Sequence, residues 1–203
     1  VTGTALAFGI PLGLALALMR LSRRRVLRWP AGAVIEVFRT TPPLVQLFWF
    51  FFALPILVHV EMTPYVAAVL TFSIQSSAFF AEVFRAGIAS VERGQWEAAR
   101  ALGMRPPQVM RRIVLPQAVK RMVPAFLERA IELMKTTTLV ATISYADLLF
   151  QANEVAQKTF RPLEVFTVVA LAYFVVIFAA SEVVRFVERR LAASGEGLGA
   201  TGH

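Results

Sequence analysis

EAARALGMRPPQVMRRIVLP, residues 97–116, is a polar, basic stretch in a chain that is otherwise mostly apolar. Its alanine-rich start favours a short helix, and Gly103 allows a sharp turn after it. Pro106 suits the first turn of a second helix, where a missing backbone N–H group has no partner to lose, and Pro116 is placed to end that helix. The stretch therefore predicts a helix-turn-helix that lies outside any membrane.

The composition around this stretch excludes an ordinary soluble protein. Of the 203 residues, 57% are hydrophobic and 17% are charged, and the mean hydropathy is +0.64, whereas a soluble domain has about 25% charged residues. A membrane-spanning helix needs about 20 apolar residues. We predict an all-α integral membrane protein with about five transmembrane helices, three before the helix-turn-helix and two after it: residues 1–21, 31–58, 63–90, 123–146 and 163–187.

The placement of charge predicts the orientation of the chain. The net charge is +8, and five basic residues fall within 20–28 and seven within 93–121. On the other side of the membrane the connections hold only Lys158 and Arg161. Because cytoplasmic loops are enriched in Lys and Arg, we expect the N-terminus outside and the C-terminus in the cytoplasm. The basic charge then requires no nucleic-acid partner.

We expect one membrane domain over residues 1–193, with the helix-turn-helix in the connection 91–122, and a disordered tail over 194–203. The chain has no cysteine and two histidines, so the sequence predicts no disulfide, no thiolate nucleophile and no metal site. A phosphate-binding loop of the form G-x-x-x-x-G-K-[ST] is absent from the sequence. The chain therefore cannot use ATP through such a loop, and we expect no cofactor on it.

The spacing within residues 97–116 resembles the EAA signature of permease subunits of ABC importers. Three stretches resemble the polar amino-acid permeases of the histidine, glutamine and arginine type: EVFRTTPPLVQLFWFFFALP at 36–55, AEVFRAGIASVERGQWEAARALG at 81–103 and TFRPLEVF at 159–166. The resemblance covers nearly the whole chain. The positions that match the signature, and that the resemblance assigns to ATPase coupling, are Glu97, Ala98, Ala99, Gly103, Ile113, Leu115 and Pro116.

This resemblance implies a permease subunit, not an enzyme, in the lipid bilayer of the bacterial cytoplasmic (inner) membrane. Its cargo is polar amino acids, moved by ATP-driven alternating access. The implied partners are two copies of an ATPase subunit, which hold ATP and Mg, a second permease subunit that is identical or similar, and an extracytoplasmic amino-acid-binding protein. The alternatives are the same architecture with another small polar solute, or a membrane channel or enzyme.

The resemblance also implies that the helix-turn-helix sits in a groove of the ATPase. Glu97 is then a polar contact with the ATPase, Ala98 and Ala99 form the packing face, and Gly103 makes the turn. The alternative is a basic amphipathic hairpin that lies on anionic lipid headgroups.

Charges within the apolar stretches mark functional candidates, because an unpaired charge in a bilayer is costly. Glu36 and Arg39 are three residues apart, as are Glu82 and Arg85, so each pair can form within one helix or cross between helices. The pairs form either a structural clamp near the headgroups or, through their arginines, part of a translocation path.

Polar residues at a predicted helix break complete the candidate path. Pro42 and the proline after it remove backbone donors, and such a break is tolerated in a bilayer only when buried or lining a cavity. Lys135 and Thr136 stand where the family often has Lys-Asp, so a carboxylate is absent, and we expect weaker affinity for cationic amino acids. Gln75 and the serines around it either pack helices or contact substrate. The candidate path residues are Arg39, Thr41, Pro42, Gln46, Gln75, Glu82, Arg85, Lys135 and Thr136.

Overall fold

A computed structural model describes residues 1–22 and 24–196, with the backbone alone for 192–196. Every regular element in these ranges is a helix, which confirms the predicted all-α class. The first half contains α1 Thr2–Leu21, α2 Arg25–Thr40, α3 Pro43–Phe48, a π-helical turn Trp49–Ala53, α4 Leu54–Val58 and α5 Pro64–Ala89. The second half contains α6 Arg93–Ala101, α7 Pro106–Val109, a π-helical turn Met110–Val114, α8 Leu115–Thr136, a 3₁₀ segment Thr137–Ile143, α9 Leu148–Thr159 and α10 Pro162–Glu196.

The central helix is α5, against which α1, α2, α3 and α8 all pack. The buried residues of α1 are small and spaced four apart: Ala5, Gly9, Gly13 and Ala17. A Cβ atom added at Gly13 would lie 2.8 Å from Cβ of Phe80 on α5, closer than real atoms approach. Small residues are the usual means by which membrane helices bring their backbones together.

The second apolar stretch is broken at Pro42, as predicted. The helical segments Arg25–Thr40 and Pro43–Val58 are inclined by 107° to each other. Thr41 and Pro42 between them are extended, with ψ of 134° and 136°. A proline disfavours helical backbone in the residue before it, so two consecutive prolines explain the bend. The bend places the end of α2 beside Gln75 of α5.

The predicted helix-turn-helix is present, but its second helix does not end at Pro116. A continuous helix runs from Pro106 to Thr136 through the π-helical turn. The expectations that Pro116 ends this helix and that the next one begins at residue 123 were wrong. The wider turn directly before Pro116 bonds each N–H group to a carbonyl five residues back, and this makes room for the proline ring without breaking the helix.

Within the described residues, α1, α5 and Pro162–Leu191 are each long and apolar enough to cross a membrane. The bent pair of α2 with Pro43–Val58 adds a fourth span if it counts as one. The predicted span 123–146 is not among them: its α-helix carries charged residues and ends at Thr136. The total of five spans therefore stays a prediction.

The last helix, α10, packs mainly on α8 and α9. Along Pro162–Leu191 of this helix only Val169 and Val184 are buried, at 8% and 7% exposure, and the other apolar side chains are half-buried or exposed. An apolar helix that protein leaves uncovered is typical of lipid contact. The helix α10 continues through Glu196, and residues 197–203 of the predicted tail lie outside the described residues. The disordered tail over 194–203 stays a prediction.

Candidate functional site

The end of α2, the middle of α5 and the second half of α8 enclose a cavity of about 190 Å³. We call it the arginine cavity, and its lining consists of Arg39, Thr41, Pro43, Gln75, Ser76, Phe79, Phe80, Arg129, Glu132, Leu133 and Thr136. The structure thus brings together four of the nine predicted path residues, from three separate segments: Arg39, Thr41, Gln75 and Thr136.

Two arginines meet over one aromatic ring in this cavity. The Cζ atom of Arg129 lies 4.2 Å from the ring centroid of Phe79, and Cζ of Arg39 lies 5.8 Å from it. The electron-rich face of a ring attracts a cation, more strongly where water is scarce. Arg129 also forms an ion pair with Glu132, one turn away on α8. The lining therefore holds two guanidinium groups and one carboxylate.

A second cavity, of about 320 Å³, shares Arg39, Phe79 and Arg129 with the first. Its lining also includes Glu82 and Arg121. The guanidinium group of Arg121 donates to the backbone carbonyl of residue 90, just before the helix-turn-helix. The second cavity therefore lies between the arginine cavity and that end of the molecule.

The two acid–arginine pairs differ in the structure. Nε of Arg85 donates to Oε1 of Glu82 over 2.9 Å, so this pair forms within α5. Glu36 and Arg39 form no ion pair in the described part of the chain, since Glu36 is exposed and Arg39 turns toward Phe79. No ion pair crosses between the two motifs among these residues.

Gln46 supports the bend and does not line the arginine cavity. Its Nε2 atom donates to the carbonyls of Phe38, over 3.0 Å, and of Thr41, over 2.9 Å. The hydroxyl of Thr41 donates to the carbonyl of Val37 over 2.7 Å. The last carbonyls of a helix have no partner within it, so these side chains hydrogen-bond the backbone that the bend frees. Gln46 positions the end of α2 and, through it, Arg39.

Three other predicted path residues lie apart from the arginine cavity. Pro42 and Lys135 are exposed and do not line it. Arg85 lines a separate groove with residues of α1 and α2, including Arg20 and Trp29. Glu82, the remaining one, belongs to the second cavity.

The helix-turn-helix presents only part of its signature on the surface. Glu97 and Ala98 are exposed, and Leu102 beside the turn is 81% exposed. Gly103 makes the turn with φ of +72°, a conformation that favours glycine. Ala99 is buried at 1% exposure. It packs inside the chain, and the expectation that it forms the packing face for a partner was wrong.

The buried side of the helix-turn-helix ties it to the helices of the arginine cavity. Ala99, Val109 and Val114 pack with Met122 of α8 in one cluster. Farther along α5, a Cβ atom added at Gly87 would lie 2.3 Å from Cγ of Met122. The helix-turn-helix, α5 and α8 are therefore close-packed.

Seven of the eleven lining residues were missing from the predicted path, and three of the seven carry the cation–π contacts and the ion pair: Phe79, Arg129 and Glu132. The sequence does contain a signal for them. Arg129, Glu132 and Thr136 are spaced three and four apart, and Gln75 and Phe79 are spaced four apart, so each set shares one face of its helix. The polarity of that face on α8, in a region expected to be a spanning helix, is the feature that points to a cavity.

The comparisons with known proteins identify the family. Residues 9–193 match the model for binding-protein-dependent transport system inner membrane components. The chain belongs to this family. It is a multi-pass inner-membrane permease subunit, not an enzyme.

The permease has several similar relatives among curated transport proteins. It is 37% identical to the glutamate/aspartate import permease protein GltK of Escherichia coli, over 95% of this chain and 89% of that protein. It is 35% identical to the putative glutamine transport system permease protein GlnP of Rickettsia bellii, over 94% and 87%. It is 37% identical to the L-cystine transport system permease protein TcyB of Bacillus subtilis, over 91% and 79%.

Solved structures share the fold of the permease. The crystal structure of an amino acid ABC transporter with histidines superposes with a TM-score of 0.89 at 37% identity, over 93% of the permease and 88% of that chain. An inward-facing structure of the MetNI methionine ABC transporter gives a TM-score of 0.66 at 21% identity, over 92% and 88%. The second likeness shows the fold alone.

Proposed function

We propose that the permease imports amino acids and that the arginine cavity favours cargo with an anionic or neutral side chain over cationic cargo. The observation that carries the proposal is the pair of guanidinium groups, Arg39 and Arg129, over the ring of Phe79. A guanidinium group binds a carboxylate through two parallel hydrogen bonds, and every amino acid has one carboxylate. With one glutamate against two arginines in the lining, a second carboxylate is attracted and a second cation is repelled.

Two sequence features support this cargo class. The resemblance to the polar amino-acid permeases implies a frequent carboxylate at the position of Thr136, which lines the cavity. It also implies a frequent Glu at the position of Arg129. Both differences remove negative charge. The relatives named for glutamate and aspartate, for glutamine and for cystine are consistent with anionic or neutral cargo.

The permease would work with partners that supply energy and substrate. Two ATPase subunits hold ATP and Mg and contact the helix-turn-helix from the cytoplasm, where Glu97 and Ala98 are available. A second permease subunit, identical or similar, completes the path, and an extracytoplasmic protein delivers the amino acid. The N-terminus then lies outside and the C-terminus in the cytoplasm, as the distribution of Lys and Arg indicates.

ATP would act through the buried side of the helix-turn-helix. Binding of ATP shifts access only if it stabilises one state more than the other. The cluster of Ala99, Val109 and Met122 supports a path for this effect, because it joins the loop to α8, which bears Arg129 and Glu132. Movement of α8 relative to α5 would open the cavity to one side of the membrane at a time.

Uptake into proteoliposomes tests the cargo class. The permease, its ATPase and its binding protein would be reconstituted with internal ATP and offered radiolabelled glutamate, aspartate, glutamine, histidine or arginine. We expect accumulation of an acidic or neutral amino acid, and about a tenfold loss in Arg129→Gln, because a guanidinium–carboxylate contact disappears. Lys120→Gln is the matched control, since Lys120 is exposed on the same helix and lines neither cavity. Best accumulation of arginine, or normal uptake in Arg129→Gln, overturns the proposal.

Coupling is tested separately by Gly103→Pro. Proline holds φ near −65°, which is incompatible with the +72° of this turn. We expect the ATPase to dissociate on purification, or ATP hydrolysis to continue without uptake. Gly94→Ala is the control, because a Cβ atom there meets nothing within 4 Å. Coupled uptake in Gly103→Pro contradicts the docking role.

A further inference from the structure

A basic groove lies between α1 and α2 where these helices are joined. Its volume is about 600 Å³, and it shares no lining residue with the two cavities described above. The lining consists of Arg20, Arg28, Trp29, Gly32, Ala33, Glu36 and Arg85. Three guanidinium groups therefore face one carboxylate, and the groove is suited to an anion.

The arginines of the groove are not equally engaged. Arg85 is held by Glu82, whereas Arg20 and Arg28 form no ion pair in the described part of the chain. Nη1 of Arg20 is buried and has no hydrogen-bond partner. A Cβ atom added at Gly32 would lie 3.9 Å from this nitrogen, so the guanidinium group rests against the glycine of α2. A buried donor without an acceptor is unfavourable until an acceptor reaches it.

Glu82 does not supply the missing acceptor for Arg20. Its Oε1 atom is bonded to Arg85, and Oε2 is buried without a hydrogen-bond partner. The charge of Arg20 attracts Glu82, yet the two side chains form no ion pair. The positive charge of the groove therefore exceeds what its own acids neutralise.

We propose that this groove binds the phosphate headgroup of an anionic phospholipid. Arg20 lies in the last turn of an apolar helix, and Arg28 and Trp29 lie in the first turns of the next. Trp29 is 73% exposed and Val26 is 83% exposed, so apolar surface adjoins the charged groove. Acyl chains cover such a surface and a soluble anion does not. Tryptophan is enriched at membrane interfaces, and basic pockets between membrane helices bind lipid headgroups.

Native mass spectrometry of the intact transporter tests the proposal. The complex would be released from nanodiscs of phosphatidylcholine and phosphatidylglycerol, and the retained lipid would be counted. We expect selective retention of phosphatidylglycerol, reduced about 30-fold in Arg20→Gln/Arg28→Gln, because each basic residue at the site contributes several-fold to binding an anionic lipid. Gly32→Leu keeps every charge but fills the groove, and we expect it to lose the lipid as well.

Matched variants distinguish lipid binding in this groove from a general attraction of anionic lipid to the basic residues between α1 and α2. Arg24→Gln/Arg25→Gln removes the same charge from the same connection without touching the groove, and we expect it to retain the lipid. Equal loss in both double variants overturns the proposal, since it shows diffuse attraction only. Displacement of the lipid by millimolar inorganic phosphate also overturns it, because the ligand is then a soluble anion. If Arg20→Gln/Arg28→Gln fails to assemble, Gly32→Leu decides.

Discussion

The tetrapeptide Glu-Val-Phe-Arg occurs twice, at 36–39 in α2 and at 82–85 in α5, and its two copies behave differently. In α5 the arginine bonds to the glutamate of its own copy. In α2 the arginine turns to Phe79 and the glutamate stays exposed. The helical spacing is the same in both, so local sequence permits the pair but does not impose it. The difference arises because the α2 copy ends at the bend, where α5 offers the arginine an aromatic ring.

Neutralising each arginine in turn is the strongest test of whether the two copies have different roles. We expect Arg39→Gln to lower uptake about tenfold or more with little change in stability, because this guanidinium group faces the arginine cavity. We expect Arg85→Gln to lower the free energy of unfolding by about 1–2 kcal/mol while uptake by the folded fraction persists, because Glu82 loses its partner. Uptake and thermal unfolding of the two variants check both halves.

A double variant supplies the control. Glu82→Gln/Arg85→Gln removes both charges of the α5 pair, so we expect it to be more stable than Arg85→Gln alone. Loss of uptake in Arg85→Gln without loss of stability would contradict this difference, because the arginines of both copies would then be needed for transport.

The bend that separates the two copies depends on Gln46. Gln46→Leu removes two hydrogen bonds and leaves the carbonyls of Phe38 and Thr41 without these donors. We expect a loss of about 2 kcal/mol in unfolding free energy, at about 1 kcal/mol for each bond, together with reduced uptake because Arg39 is displaced. Thermal unfolding and uptake measure the two effects. Gln151→Leu, at an exposed glutamine of α9, is the matched control, and equal losses in both variants contradict the role of Gln46.

Features set by consecutive residues were predictable from the sequence. Pro42 and Pro43 predict the bend, and Gly103 followed by Pro106 predicts the turn and the next helix. These outcomes follow from backbone sterics within a few residues. Pro116 shows the limit of such reasoning. Proline usually ends a helix, but a π-helical turn placed just before it allows the helix to continue, and that adjustment has no fixed sequence signal.

The candidate site was only partly predictable, because its parts come from three segments. Arg39, Thr41, Gln75 and Thr136 stood out as polar residues in apolar stretches. Phe79 has only its spacing of four from Gln75 as a signal, because an aromatic residue within an apolar helix is ordinary. Its role appears only when packing brings α2 and α8 to the same face of α5. Likewise, the burial of Ala99 depends on Val109 and Met122, which are distant in sequence.

The α5 copy lies close to the helix-turn-helix. Gly87→Val tests whether the contact between Gly87 and Met122 couples ATP hydrolysis to uptake. A Cβ atom at Gly87 would lie 2.3 Å from Cγ of Met122, so valine forces the Met122 side chain out of this contact or pushes α5 and α8 apart. We expect a loss of about 1–3 kcal/mol in unfolding free energy and a lower ratio of uptake to ATP hydrolysis. The ratio is measured in proteoliposomes, with Gly94→Ala as the control of the same loop. An unchanged ratio at reduced stability contradicts transmission through this contact.

Asp147 can be compared with Glu36 and Glu82 as a third acid. Its carboxylate is hydrogen-bonded by a backbone N–H group and forms no ion pair with an arginine in the described part of the chain. Its carboxylate accepts a hydrogen bond from the N–H group of Phe150 over 2.8 Å and caps α9. Partial burial nevertheless raises the pKa of Asp147 above its usual value of 3.8. The stabilisation linked to its protonation is therefore complete below that value and is lost as the pH rises through the raised pKa.

Two substitutions separate the cap from the charge. Asp147→Ala removes the cap and should cost about 1 kcal/mol at neutral pH. Asp147→Asn keeps an oxygen that accepts from Phe150 but cannot ionise. We therefore expect the free energy of unfolding of this variant to increase relative to that of the wild type as the pH rises from about 4 to about 7. Thermal unfolding across that range measures the difference. Parallel curves for Asp147→Asn and the wild type would show that burial of this carboxylate has no energetic consequence.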